Sequence, residues 1–461
     1  MPILGAFIVP HPPLIIPEVG RGQERGIQRT IDAYEKIGQK IAAIGPETIV
    51  VISPHSVMYG DYIHISPGGG AKGGFGKFGA SGVSLEKKYD EAFVGALSEE
   101  AKRAKIPAGT LGERDRSLDH GVLVPLYFVE RYFKVYQLVR ISISGLSLLE
   151  HYNFGKCIAK ASDALGRKTV IVASGDLSHK LKADGPYGFA SEGPEFDKEA
   201  ADAMESGDFM RFLDFDEEFC EKAAECGLRS FVEMAGALDG RAVETEFLSY
   251  EGPFGVGYAV CGFSPGEADE RRRFGRRYEE KRQKRLAAVK SAEDEYVRLA
   301  RLSLETYVRE KKPIRCPEGL PNDMLHKRAG VFVSLKKDGR LRGCIGTIAP
   351  TEPSVADEIV RNAVSAGAKD PRFEPVGEEE LPLLVYSVDV LGEPEPIASA
   401  KELDVKRYGV IVAKDARRGL LLPDLEGVDT PEQQISIALQ KAGISPNERY
   451  SMERFCVVRH K

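Results

Sequence analysis

The chain has 461 residues, 42% of them apolar and 29% charged, with a formal net charge of −6. That length predicts two or three domains at roughly 100–200 residues each, and the apolar content excludes a disordered chain. The negative balance argues against nucleic acid as a partner of the whole molecule, and no run of about 18 apolar residues is present to cross a membrane.

Seven cysteines are scattered along the chain without a C-x-x-C pair. This argues against a disulfide framework or a zinc ribbon, and a reducing cytoplasm is the expected setting. Pro2–Pro17 is apolar but has no basic leader and is interrupted by His11, Pro12 and Pro13. It reads as a buried strand and turn, not a signal peptide.

The first half alternates short β-branched runs with helical periodicity. Strands are expected at Ile3–Val9, Thr48–Ile52, Val135–Ile143 and Thr169–Ala173, with helices at Gly26–Ile44, Lys87–Ala104, His151–Leu165 and Glu195–Ser206. Continuous apolar strands separated by helices predict an α/β domain around a mostly parallel sheet covered on both faces. The glycine-rich stretch Pro67–Gly82 contains no P-loop motif; it reads as a loop, either a mobile cover or a plain surface segment. A helix at Leu228–Leu238 and a hairpin, Ala242–Ser249 with Gly257–Cys261, close this half.

Ser264–Lys290 is rich in arginine, lysine and glutamate and reads as an exposed, partly helical link. Its charges suit i,i+4 pairing on a solvated helix, or contact with RNA or an acidic partner. From Ser291 an α+β domain is expected: a helix over Glu293–Arg309, strands at Gly330–Leu335, Leu383–Leu391 and Gly409–Ala413, and a helix from Pro431 to Ala442. The organisation is therefore 1–263, a link 264–290, and 291–461.

Three of the eight histidines share one local design. His11, His55 and His179 each lie just past a predicted buried strand, at the sheet edge where loops converge on a ligand crevice. His120, in SLDHGVLVPL, reads as a further loop histidine. Neutral imidazoles are common ligands for iron, copper and zinc, and spare histidines shuttle protons near neutral pH. Asp176, three residues before His179, either orients an imidazole or caps the following turn.

The motifs HPP (His11–Pro13), SPH (Ser53–His55), LDHG (Leu118–Gly121) and SGDLSH (Ser174–His179) resemble the LigB family of class III extradiol dioxygenases over residues 1–263. The resemblance implies a non-haem Fe(II) oxidoreductase acting on a small, catecholic substrate. His11 and His55 would be metal ligands, His179 the base and His120 a substrate-positioning group. The family's third ligand is a glutamate. The matching stretch, AECGLRSFVEMAGAL, offers Cys226 instead, with Glu225 and Glu233 as alternatives. A cysteine there resembles the Memo family, a non-dioxygenase relative with two histidines and a cysteine in its cleft. Thiolate ligation admits copper, and zinc is a further candidate.

In the second half, LRGCIGT (Leu341–Thr347), AKDPRFEPV and RRGLLLPDLEGVDT resemble the AMMECR domain. Glycines around Cys344 suggest a sharp turn. The thiol is either a nucleophile or redox group, with His326 as its nearest upstream partner, or a structural residue. Arg342, Arg372 and Lys369 are candidates for an anion site. A LigB- or Memo-like domain fused to an AMMECR domain resembles the AmmeMemoRadiSam system, which implies a radical SAM protein as partner. Homo-oligomerisation is left open by the sequence.

Overall fold

The structure, a computed structural model, describes residues 2–425 and 427–461. The chain divides into two compact units, between Glu280 and Lys281.

The first unit is built on a six-stranded mixed sheet. Its strands are β1 (Ile3–Val9), β2 (Thr48–Ser53), β5 (Gln137–Ser142), β6 (Thr169–Ser174), β7 (Arg241–Glu251) and β8 (Tyr258–Ala268), in the order β5-β2-β6-β1-β8-β7. β3 and β4 stand apart and are described below. Pairings among β5, β2, β6 and β1 are parallel; β8 runs antiparallel to both β1 and β7. The central strands TIVVIS and TVIVAS are buried at every position, as strands covered on both faces must be. Alternation assigns the faces: Val50, Ile52, Ile171 and Ala173 enter one core, while Ile49, Val51, Val170 and Val172 enter the other.

On one face α1 (Gln28–Ile44) packs with α3 (His120–Glu130); on the other α4 (Leu148–Leu165) packs with α2 (Glu91–Arg103) and α6 (Leu228–Ala237), while α5 (Glu192–Ser206) packs against β7 and β8. α4 starts earlier than its apolar periodicity suggests. Ser147 and Glu150 form a reciprocal capping box there, which satisfies backbone donors left open at a helix start.

The glycine-rich stretch is not a loop. β3 (Gly70–Phe75) and β4 (Ala80–Lys88) form an antiparallel hairpin turned by a single 3-10 turn, Gly76–Phe78. Glycine is poor in strands, yet here it fits for a steric reason. A side-chain carbon on Gly73 would stand 2.4 Å from the carbonyl oxygen of Leu118, so the hairpin lies against the segment leading to His120.

α7 (Phe274–Ala292) starts with a buried Phe274 and continues as a mostly exposed helix. In the second unit, α8 (Glu295–Glu310) buries Val297, Ala300, Leu304 and Val308, as its periodicity predicts. It packs with α9 (Val355–Ala368) on a four-stranded sheet. That sheet holds β9 (Val331–Lys337), β10 (Arg340–Gly346), β11 (Leu384–Leu391) and β16 (Val457–His460), in the order β10-β9-β11-β16. A second four-stranded sheet holds β12 (Glu395–Ile397), β13 (Gly409–Lys414), β14 (Arg417–Leu421) and β15 (Ser451–Phe455), with α10 (Pro431–Ala442) packed on it. Cys344 therefore lies within β10, opposite Ser334, and not in a turn. No helix among the described residues is long and apolar enough to cross a membrane.

Candidate metal centre

Parallel strands end together, so the residues that follow them are gathered at one edge. His11 comes two residues after β1, His55 two after β2, and His179 five after β6. His120 is the first residue of α3 rather than part of a loop, because Asp119 caps that helix by accepting the Val122 N–H at 3.2 Å. Asp119 also accepts hydrogen bonds from the hydroxyls of Ser53 (2.6 Å) and Ser56 (2.7 Å), which flank His55. Gly121 must be glycine here, since a side-chain carbon would sit 2.3 Å from Ser53 Oγ.

The donor atoms converge. His11 Nε2 lies 3.0 Å from His55 Nε2 and 3.6 Å from Cys226 Sγ. One ligand atom from each of His11, His55 and Cys226 falls within 4.8 Å of the others. The His120 ring lies 4.1 Å from that of His55 and 5.3 Å from that of His11, centre to centre. Two imidazole nitrogens and one sulfur at this separation suit a small ion with N and S ligands.

The surrounding bonds aim these groups. His11 Nδ1 is 2.9 Å from Ser174 Oγ at the tip of β6, which turns Nε2 toward the other donors. The His11 backbone N–H donates to Asp176 Oδ1 at 2.7 Å. The Asp176 N–H in turn points to Cys226 Sγ at 3.3 Å. Asp176 thus bridges two of the candidate ligands and does not touch His179. The His179 ring is held by Ala224, whose carbonyl accepts from Nδ1 at 2.6 Å. That bond places the proton on Nδ1 and leaves Nε2 with a free lone pair.

Cys226 lies in the bend before α6, not on the helix, so a seven-residue spacing does not align it with Glu233. Glu233 is fully buried against His151, its Oε1 2.7 Å from Nδ1. Glu225 accepts the Leu228 N–H at 2.7 Å and so braces the start of α6. Both carboxylates are committed elsewhere.

Burial keeps the imidazoles neutral. It pushes the proton affinity of His11 well down, with His55, His120 and His179 adding to the effect. It also lowers His55 and His179, and takes His120 to about 4, where His55 contributes. Burial, helped by Asp176 and Glu225, holds the Cys226 thiol well above its ordinary range. Burial raises Asp176 to about 7 against the pull of the His11 N–H. The imidazoles therefore stay neutral, the state in which they bind metals, whereas Cys226 must give up its proton to serve as a ligand.

Several neighbours had no signal in the sequence. Phe78, on the hairpin turn, sets its ring 5.5 Å from His120. Tyr187 sets its ring 5.1 Å from His179. Tyr34, in α1, donates to the Pro10 carbonyl just before His11.

In the second unit, Ser334 Oγ, not His326, is the hydrogen-bond partner of Cys344 Sγ, at 3.2 Å. Burial raises the thiol's proton affinity. Arg342 is engaged by Glu380 at 2.8 Å and Arg372 by Asp370 at 2.7 Å. Each guanidinium is thus paired with a carboxylate, while Arg342 Nη1 is buried without a hydrogen-bond partner.

Residues 5–261 match the family described as the catalytic LigB subunit of aromatic ring-opening dioxygenase, and residues 297–460 match AMMECR1. Protein CA_C1420 of Clostridium acetobutylicum is 43% identical over the whole of both chains. A protein of Thermotoga maritima is 52% identical over 37% of this chain and 98% of its own. The uncharacterized protein JW3007 of Escherichia coli K12, a solved structure, is 17% identical over 57% of this chain and 99% of its own, with a TM-score of 0.38. The chain belongs to the LigB family, with an AMMECR1 segment following in the same polypeptide.

Proposed function

We propose that this protein is a metal-dependent oxidoreductase related to ring-opening dioxygenases, with one ferrous ion held by His11, His55 and Cys226. The observation that carries the reading is the convergence of two imidazole nitrogens and a thiol at the C-terminal edge of the sheet. Copper and zinc suit the same donors. When bound, the ion supplies Lewis acidity and one-electron chemistry toward a small substrate and an oxidant.

The chain's own residues supply the rest. His179 accepts a substrate proton at Nε2, because Ala224 fixes the other ring nitrogen. His120, fixed at the start of α3, orients the substrate beside His55. Asp176 sets the separation of His11 and Cys226 through one bond to each. Residues 1–263 form the metal-binding domain, 264–290 the charged link and 291–461 the AMMECR domain. Free cysteines throughout the described residues support a cytoplasmic setting.

The test is anaerobic metal analysis of wild type, His55→Ala and Cys226→Ala. Close to one ion per wild-type chain and loss in both variants is expected. A wild type that retains neither Fe(II), Cu nor Zn ends the assignment. Oxygen uptake with a panel of catechols then tests the reaction.

A second reading is favoured by Cys226 itself, where ring-opening enzymes place a carboxylate. In this reading the centre handles copper or iron without turnover, as in the Memo-like resemblance, and the chain serves a radical SAM enzyme. Tight metal binding with no oxygen uptake, and co-purification with a radical SAM protein, would select it.

A further inference from the structure

The geometry points to Phe78 and Tyr187 as the residues that grip and select the substrate at the imidazole cluster, by stacking on a planar ring. This rests on the reading that the cluster is where substrate reacts. Phe78 is 39% exposed and Tyr187 59% exposed. Exposed aromatic rings are ordinary when single, but here each of two lies against a different histidine of one cluster.

Each ring stands nearly perpendicular to one imidazole. Phe78 meets His120 at 71°, and Tyr187 meets His179 at 88°. Each is also held in place by its own segment. The Phe78 ring has the buried Phe75 beside it at 6.3 Å, and the turn is tied back where Arg21 donates to the Gly79 carbonyl. The Tyr187 segment is closed by a bridge between Leu181 and Phe189 and by the turn from Lys182 to Gly185. Phe78 therefore stands beside His120 and Tyr187 beside His179.

A flat ring seated at the cluster against either of them would cover an exposed aromatic face. An aliphatic ligand of equal volume would fill the space without the stacking. Aromatic pairing adds to simple burial, so the preference for planar ligands comes from these two residues rather than from the ion.

The test uses the full-length, Fe(II)-loaded protein under anaerobic conditions, with 4-nitrocatechol titrated by absorbance. Phe78→Ala and Tyr187→Ala are each expected to leave metal content unchanged and to weaken binding about tenfold. Tyr187→Phe keeps the ring and is expected to stay within about twofold of wild type, whereas Tyr187→Leu follows the alanine variant. If an alanine variant does not fold, the Phe and Leu pair answers the same question. Metal-loaded wild type that ignores 4-nitrocatechol, or alanine variants that bind it as tightly, overturns the inference. Wild type that holds no ion instead overturns the reading beneath it.

Discussion

Glu233→Gln decides whether the buried carboxylate of α6 belongs to the metal or to the fold. Glu233 Oε1 lies 2.7 Å from His151 Nδ1, and both side chains are fully buried. His151 Nε2 faces the Ser144 carbonyl at 3.2 Å, so it carries the ring proton, and Nδ1 accepts from a protonated Glu233. Burial drives both groups the same way, toward neutrality. It takes His151 down to about 3, with Arg229 adding to the effect, and Glu233 well above its ordinary 4.5.

For Glu233, the folded chain keeps a proton that the unfolded chain releases above 4.5, so its contribution falls as pH rises. For His151, the unfolded ring takes up a proton below 6.5 that the folded ring refuses, so its contribution falls as pH drops. Between those two values the wild-type pair binds one proton in either state, and the pair adds no slope. Glutamine still donates to Nδ1 but carries no titrating proton. Relative to wild type, the variant should therefore gain stability as pH rises above 4.5, by about 1.4 kcal/mol per pH unit wherever folded Glu233 keeps the proton that the unfolded chain has released. Urea unfolding of chelator-treated protein at several pH values, followed by circular dichroism, measures it. A stability difference that stays flat with pH refutes the neutral-pair argument. Loss of the metal from folded Glu233→Gln would make Glu233 a ligand.

Asp176→Ala removes the acceptor of the His11 N–H and should weaken metal binding by about 10- to 100-fold while His11, His55 and Cys226 remain; competition with a chromophoric chelator reads it, and unchanged affinity would reduce Asp176 to a structural residue. Gly121→Ala pushes a methyl to 2.3 Å from Ser53 Oγ and should cost about 1–3 kcal/mol in urea unfolding; wild-type stability would mean that Ser53 swings away freely. Ser147→Ala breaks the capping box of α4 and should lower stability by about 1 kcal/mol without touching metal content; a loss of metal would tie α4 to the site.

The central strands were legible because burial on both faces leaves an unbroken apolar stretch such as IVVI within TIVVIS. The histidines were legible for the same reason: each follows such a run, and parallel strands end on one side. The β3–β4 hairpin was not, because Gly73 answers to the backbone at Leu118 rather than to any strand preference. Asp176 offers either an imidazole partner or a turn cap from its place three residues before His179, yet its carboxylate accepts from the His11 backbone, 165 positions away. Periodicity cannot report a bond of that kind. Cys226 was found through its motif, and the expected start of α6 at Leu228, just beyond it, is where the helix begins.

The donor set bears on which functional reading holds. Glutamates stand on either side of Cys226 in sequence, and either would give a carboxylate centre. Glu225 instead braces the first turn of α6, and Glu233 shares its proton with His151. Asp176, the remaining buried carboxylate at the cluster, is taken by the His11 backbone. What reaches His11 and His55 is therefore sulfur. Changing that would require Glu225 or Glu233 to abandon a buried partner, at about 1–3 kcal/mol for each group left unpaired. The packing at the start of α6 thus leaves a sulfur rather than a carboxylate beside His11 and His55, and an ion held there would meet a softer donor set. A panel of Cys226→Glu, Cys226→Asp and wild type, compared for metal selectivity and for oxygen uptake, asks whether ring opening is latent in this scaffold and blocked by one atom. Uptake appearing only in the carboxylate variants would assign the natural protein to metal handling; uptake in wild type alone would make the thiolate part of the reaction.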